Sequence, residues 1–233
     1  MDNIKLNSVS RSYLDAKGEK FSALANASLS WNEGQSIAIT GESGSGKSTL
    51  ARLMIGLERP SAGDVLINGE RTMRWGFDRW RKARGNIQAV FQDASGTLNP
   101  MRSTYRNAEE ALCNFTNLLM SERKKIILEL MELVGLPKTL LDVPVKKLSG
   151  GEQRRIALLR ALSVNPKFLI LDEVTAGLDL ISTEAVLQLL EMYQQSHDCA
   201  YLLITHDITI AARLCSKLIE IEHGTFIKEA VRS

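Results

Sequence analysis

The stretch SIAITGESGSGKSTL, residues 36 to 50, constrains the fold more than any other part of this chain. It carries the pattern G-x-x-x-x-G-K-[ST] from Gly41 to Ser48, after a β-rich run and before a helical one, LARLMIGL. A strand, a glycine-rich turn and a helix in that order make a phosphate cradle. Gly41, Gly44 and Gly46 let the backbone curl so that successive N–H groups face one centre, and the helix N-terminus adds a dipole that favours an anion. Lys47 reaches the β and γ oxygens of a nucleotide, and Ser48 suits a Mg²⁺ ligand. Gly41, Glu42, Ser43, Gly44, Ser45, Gly46, Lys47, Ser48 and Thr49 are therefore the candidate nucleotide contacts.

KFLILDE supplies a second half. Four apolar residues, Phe168 to Leu171, deliver Asp172 to the end of a buried strand beside the cradle. Asp172 suits the Mg²⁺ shell, and Glu173 suits a general base on an attacking water. A third element, KLSGGEQRRIALLRAL from residue 147, is a glycine knot that opens a helix. Ser149 and Glu152 stand in capping-box spacing. Two adjacent glycines, Gly150 and Gly151, exceed what a cap needs, and they fit a backbone that must approach something closely.

The rest of the chain is consistent with an α/β domain. The first part alternates short β-like runs with turns (IKLNSVSRSY, SALANASLSW, GDVLING), which predicts an antiparallel or mixed sheet. Between about 101 and 155 the periodicity becomes helical, as in ERKKIILELMELVGL, which marks an inserted helical lobe. After Gly150, helices alternate with two continuous apolar strands, and that argues for a parallel sheet covered on both faces. The three cysteines, Cys113, Cys199 and Cys215, have no paired spacing and suit a reducing compartment. No apolar run approaches the roughly 18 residues of a membrane span, and the start lacks the order of a signal peptide. A cytosolic chain is the expectation.

GESGSGKST, LSGGE, LILDE, TAGLD and Ile204-Thr205-His206-Asp207, in this order and spacing, resemble the ATP-binding subunit of an ABC transporter. The resemblance covers nearly the whole chain. It implies one ABC ATPase domain over residues 1–233: a P-loop NTPase core with a mostly parallel sheet, an N-terminal antiparallel β subdomain and an inserted helical signature subdomain. It also implies ATP and Mg²⁺. Tyr13 stands where such proteins stack an aromatic on adenine. Gln92 matches the glutamine that senses Mg²⁺ and the attacking water, and His206 matches the switch histidine at the γ-phosphate. Glu173, His206, Gln92 and Lys47 are the candidate catalytic residues; Ser48, Gln92 and Asp172 are the candidate Mg²⁺ ligands. Ser149, Gly150, Gly151, Glu152 and Asp179 would serve the ATP of a second subunit packed head-to-tail. Val174 replaces the usual proline, and Ala176-Gly177 replaces serine-alanine, so communication between two such sites is expected to differ here.

FQDASGTLNP, residues 91 to 100, resembles the corresponding loop of the oligopeptide, dipeptide and nickel importer ATPases, with Ala94 in place of a proline and Thr97 in place of a serine. The implied partners are a second, non-identical ATPase subunit, membrane permease subunits and an extracytoplasmic substrate-binding protein, at the cytoplasmic face of the cell membrane. The chain ends soon after EHGTFIKEAV, which favours nickel or a metal-chelate cargo over long peptides. Export, lipid extraction and soluble non-transport ATPases are the rival readings. Residues 71 to 85 gather arginines with Trp75 and Trp80, but 29 basic against 27 acidic residues leave a net charge of +2, and nucleic acid is not expected as a partner.

Overall fold

The computed structural model describes residues 3–15, 17–93 and 95–231. In chain order the elements begin with β1 (Asn3–Leu14), β2 (Lys20–Asn32), β3 (Ile37–Thr40), α1 (Lys47–Met54), β4 (Ala62–Ile67), β5 (Glu70–Arg71), α2 (Phe77–Asn86) and β6 (Ile87–Val90). The helical stretch follows, with α3 (Thr104–Ala108), α4 (Glu110–Phe115), α5 (Met120–Leu133) and α6 (Gly150–Leu162). The chain then alternates through β7 (Phe168–Asp172), α7 (Leu180–Ser196), β8 (Ala200–Ile204), α8 (Ile208–Leu214), β9 (Lys217–Glu222) and β10 (Thr225–Val231). Two compact units result. The first holds residues 1–80, 170–172 and 200–233; the second holds 81–169 and 173–199.

In the first unit, an antiparallel sheet runs in the order β2-β1-β4-β5. Its pattern has period two: Ile4 and Leu6 of β1 are buried and face Trp31 and Leu29 of β2, with Ile67 and Val65 of β4 on the other side. Pairing of β1 with β2 shifts register after Leu6 and again near Val9, where Ser8 and Asn26 take positive φ. Such bulges sharpen the local twist of a long two-stranded ribbon. The second sheet of this unit runs β10-β9-β3-β8-β7. β3 pairs in parallel with both β8 and β9, and every residue of β3 and β8 is buried. Apart from Thr40 at the end of β3, these two strands are apolar or aromatic because both faces are covered. β10 adds antiparallel to β9 at the edge, a strand the sequence pattern does not announce.

The second unit is organised around α6, whose Ile156, Ala157, Leu158, Leu159, Ala161 and Leu162 are buried among α3, α4, α5 and β6. A fully buried leucine contributes about 2 kcal/mol relative to an exposed one, so this helix anchors the unit. Glu109, at the α3–α4 junction, has a side chain only 3% exposed and receives Arg106 at 2.7 Å and Arg123 at 3.2 Å. Among the described residues no helix is long and apolar enough to cross a membrane.

Candidate functional site

Parallel pairing decides where the first unit's chemistry gathers. Ile39 lies opposite Ile204, so the C-terminal ends of β3 and β8 share one sheet edge, with β7 next in order. Gly41, Asp172 and His206 leave the sheet at that edge, the usual location of ligands in open α/β sheets. Asp172 is buried and His206 is exposed, preceding a helix capped by Asp207, whose Oδ1 accepts from the Thr209 amide at 2.7 Å.

The loop between β3 and α1 is fixed by its own chain. The Gly224 amide donates to Ser45 O at 3.0 Å, and Gly224 O accepts from the Ala25 amide at 2.8 Å. The turn between β9 and β10 thus stitches the loop to β2. Glycine is required here for packing: a Cβ at Gly41 would lie 2.1 Å from Ile221 O, and one at Gly46, where φ is 105, would lie 2.2 Å from Ala23 O. Gly46 precedes α1, and the amides of that helix's first turn face the loop. The Lys47 ammonium donates to Gly41 O at 2.8 Å and to Glu42 O at 2.6 Å, spanning the mouth of the loop. The half-buried Ser48 and the buried Thr49 follow on α1.

Tyr13 is half-buried, and its hydroxyl donates to Glu58. Glu58 also takes Arg52 at 2.7 Å and Arg11 at 3.0 Å, and the Arg11 guanidinium lies 4.7 Å from the centre of the Tyr13 ring. Burial pulls the Glu58 carboxyl upward, but hydrogen bonds from Tyr13 and Arg52 outweigh it and hold it below the ordinary carboxylate value. Glu58 is a supporting residue that the sequence reading missed, because its partners lie up to 47 residues away.

In the second unit, Ser149 caps α6 in a complete capping box. Its amide donates to Glu152 Oε2 at 2.7 Å, and its Oγ accepts from the Glu152 amide at 3.3 Å. The two glycines beside it have no packing reason in this chain. A Cβ at Gly150 meets nothing within 4 Å, and one at Gly151 makes only ordinary contact with Ser182 Oγ at 3.6 Å. Ser149, Gly150, Gly151, Gly177 and Asp179 line one open cleft of ≈350 Å³. Asp179 caps α7, accepting from the Ser182 amide at 2.9 Å and the Ser182 hydroxyl at 2.7 Å, and these bonds hold its carboxyl below the usual value. The next two side chains, Leu180 and Ile181, are 88% and 85% exposed.

Glu173 has φ of 48, a backbone region an L-residue enters at a cost. It is followed by a turn closed by Ala176 N to Glu173 O at 3.0 Å. Gln92 is exposed at the end of β6; Ala94, in the loop beyond it, lies outside the described residues. Trp75 and Trp80 meet edge to face at 5.2 Å with Arg79 over Trp75.

A family model for ABC transporters matches residues 24–176. The chain belongs to the ABC transporter family. Within it, the nickel import ATP-binding protein NikE of Shigella boydii serotype 4 (strain Sb227) is 37% identical over 212 residues, covering 91% of this chain and 79% of that protein. The solved dimer of the ATP-binding cassette MJ0796 in a post-hydrolysis state, bound to ADP and Pi, superposes with a TM-score of 0.90 at 30% identity, covering 99% of each chain. CbiO1 from Clostridium perfringens, part of the ABC transporter complex cbiONQ, superposes at 0.81 with 29% identity, covering 98% of this chain and 88% of that one. This ABC transporter chain binds and hydrolyses ATP, and the P-loop fold expected from its sequence is the fold it has.

Proposed function

We propose that this chain is the ATP-hydrolysing motor of an importer, pairing head-to-tail with a second, non-identical ATPase subunit beneath a separate permease at the cytoplasmic face of the cell membrane. The cleft in the second unit carries this reading. It brings the glycines at 150 and 151 together with Asp179, and nothing in the chain's own packing demands glycine there. Bare backbone at a helix N-terminus, left open, suits the phosphates of an ATP held by another subunit.

Each residue then has a task. Lys47 exchanges the carbonyls of Gly41 and Glu42 for phosphate oxygens, a charge-assisted contact. Tyr13, its hydroxyl held by Glu58, offers its ring to adenine. Residues 41–49 wrap the phosphates, Glu173 accepts a proton from the attacking water, and His206 contacts the γ-phosphate. Ser48, Asp172 and Gln92 would hold Mg²⁺, which when bound neutralises charge on the phosphates. That donor set is all oxygen. Mg²⁺ takes one or two protein carboxylates and fills its remaining positions with substrate phosphates and water.

For cargo we favour nickel or a metal chelate over peptides, supported by the nickel-import relative and by the resemblance of residues 91 to 100 to such importers. Substrate capture is assigned to an extracytoplasmic binding protein. The test has two arms. In cells lacking this chain, labelled nickel uptake should fall while labelled peptide uptake persists; the reverse would reassign the cargo. In the assembled complex, Glu173→Gln should cut turnover by about 10²-fold or more and leave ATP affinity unchanged. Near-normal hydrolysis would remove Glu173 from its role.

A further inference from the structure

We propose that Arg154 is a positioning residue for ATP hydrolysis, tying the Gln92 loop and the loop after Glu173 to the signature helix. Arg154 sits on the first turns of α6, one turn beyond Gly150. Its Nη1 donates to Val174 O at 3.1 Å and to Ala176 O at 2.6 Å, and its Nη2 donates to Gln92 O at 3.2 Å. One guanidinium thus grips three backbone carbonyls from two loops. Val174 and Ala176 belong to the turn that Glu173 opens, so both the first and third residues after the proposed base are held. Gln92 is the proposed Mg²⁺ and water sensor, gripped by its own carbonyl rather than its side chain.

The geometry suits arginine alone. A planar fork with donors on two edges can meet carbonyls that approach from different loops, whereas a lysine or glutamine satisfies only part of the set. Burial lowers the Arg154 pKa from its ordinary value, and the three carbonyl acceptors work against that loss by favouring the cation. A fork shared by the two loops makes them move together. A shift of the Gln92 loop would then reach the backbone that aims Glu173 through one side chain.

This inference rests on the roles proposed for Gln92 and Glu173, and the experiment separates the two. The full transporter complex is prepared with Arg154→Met, Arg154→Lys, Arg154→Gln and Gln92→Ala. Turnover, KM for ATP, the Mg²⁺ concentration for half-activation, ATP affinity in the presence of EDTA and thermal midpoint are measured. Arg154→Met should lower kcat by about tenfold or more, since small misplacement of reacting groups is costly. It should also shift Mg²⁺ activation in the same direction as Gln92→Ala, with EDTA-phase ATP affinity and midpoint unchanged. Arg154→Lys should recover part of the turnover and Arg154→Gln less. Wild-type kcat and Mg²⁺ activation in Arg154→Met, beside an altered Gln92→Ala, would overturn the proposal. So would losses in all three Arg154 variants that track a lowered midpoint, which would mark a structural brace. If Gln92→Ala leaves Mg²⁺ activation unchanged, the role given to Gln92 fails, and the proposal with it.

Discussion

Gly46 and Glu173 both hold the backbone at positive φ, yet for opposite reasons. At Gly46, φ is 105 and the missing side chain leaves room for Ala23 O, which a Cβ would approach to 2.2 Å. Neither partner can yield, because both are backbone. Gly46→Ala should therefore cost about 3 kcal/mol or more of stability, combining strain and overpacking. Calorimetric unfolding measures it, and a midpoint equal to wild type would contradict the contact. At Glu173, φ is 48 in a residue that keeps its full side chain. The strain there accompanies a carboxylate whose aim matters more than its backbone comfort. The first residue was legible in the sequence because the motif that calls for glycine there spans only Gly41 to Ser48, although the contact with Ala23 O was not. The second was legible only as a carboxylate after an apolar strand, since φ depends on the turn that Ala176 closes.

At the level of elements, local pattern sufficed where burial follows a period. The strands with Ile4 and Leu6, the apolar runs of β7 and β8, and the capped start of α6 all declare themselves over a few residues. What stayed illegible runs between distant loops. Arg154 reaches carbonyls 20, 22 and 62 residues away, and the turn at Gly224 pins a loop at Ser45. No periodicity encodes such contacts. Glu109 is a similar case in the helices: it joins the α3–α4 junction to α5 through Arg123. Burial pushes its carboxyl up, but hydrogen bonds from Arg106 and Arg123 hold it below the ordinary carboxylate value. A folded-state value below the unfolded one stabilises above the unfolded pKa, and that contribution fades as pH falls through the folded value. Removing the buried carboxylate takes the ion-pair partner from Arg123, which keeps only the Leu118 carbonyl, so Glu109→Ala should cost about 3 kcal/mol at neutral pH. The gap between wild type and Glu109→Gln in thermal midpoint should narrow as pH drops below the carboxylate range. A gap independent of pH would show that the ion pairs contribute nothing.

For the whole molecule, near-balanced charge removes one common source of long-range repulsion between copies. Leu180 and Ile181 stand almost bare beside Asp179 at the start of α7. Two adjacent aliphatic side chains in water are the nucleus of an adhesive patch. Colloidal behaviour should therefore report on them. In dilute light scattering the isolated chain should show a negative second virial coefficient, moved toward positive values by Leu180→Asn with Ile181→Ser. A positive coefficient for the unaltered chain would show that the pair is inert. If it is negative, the same two residues would set how concentrated a stock of this chain can be kept before it clouds.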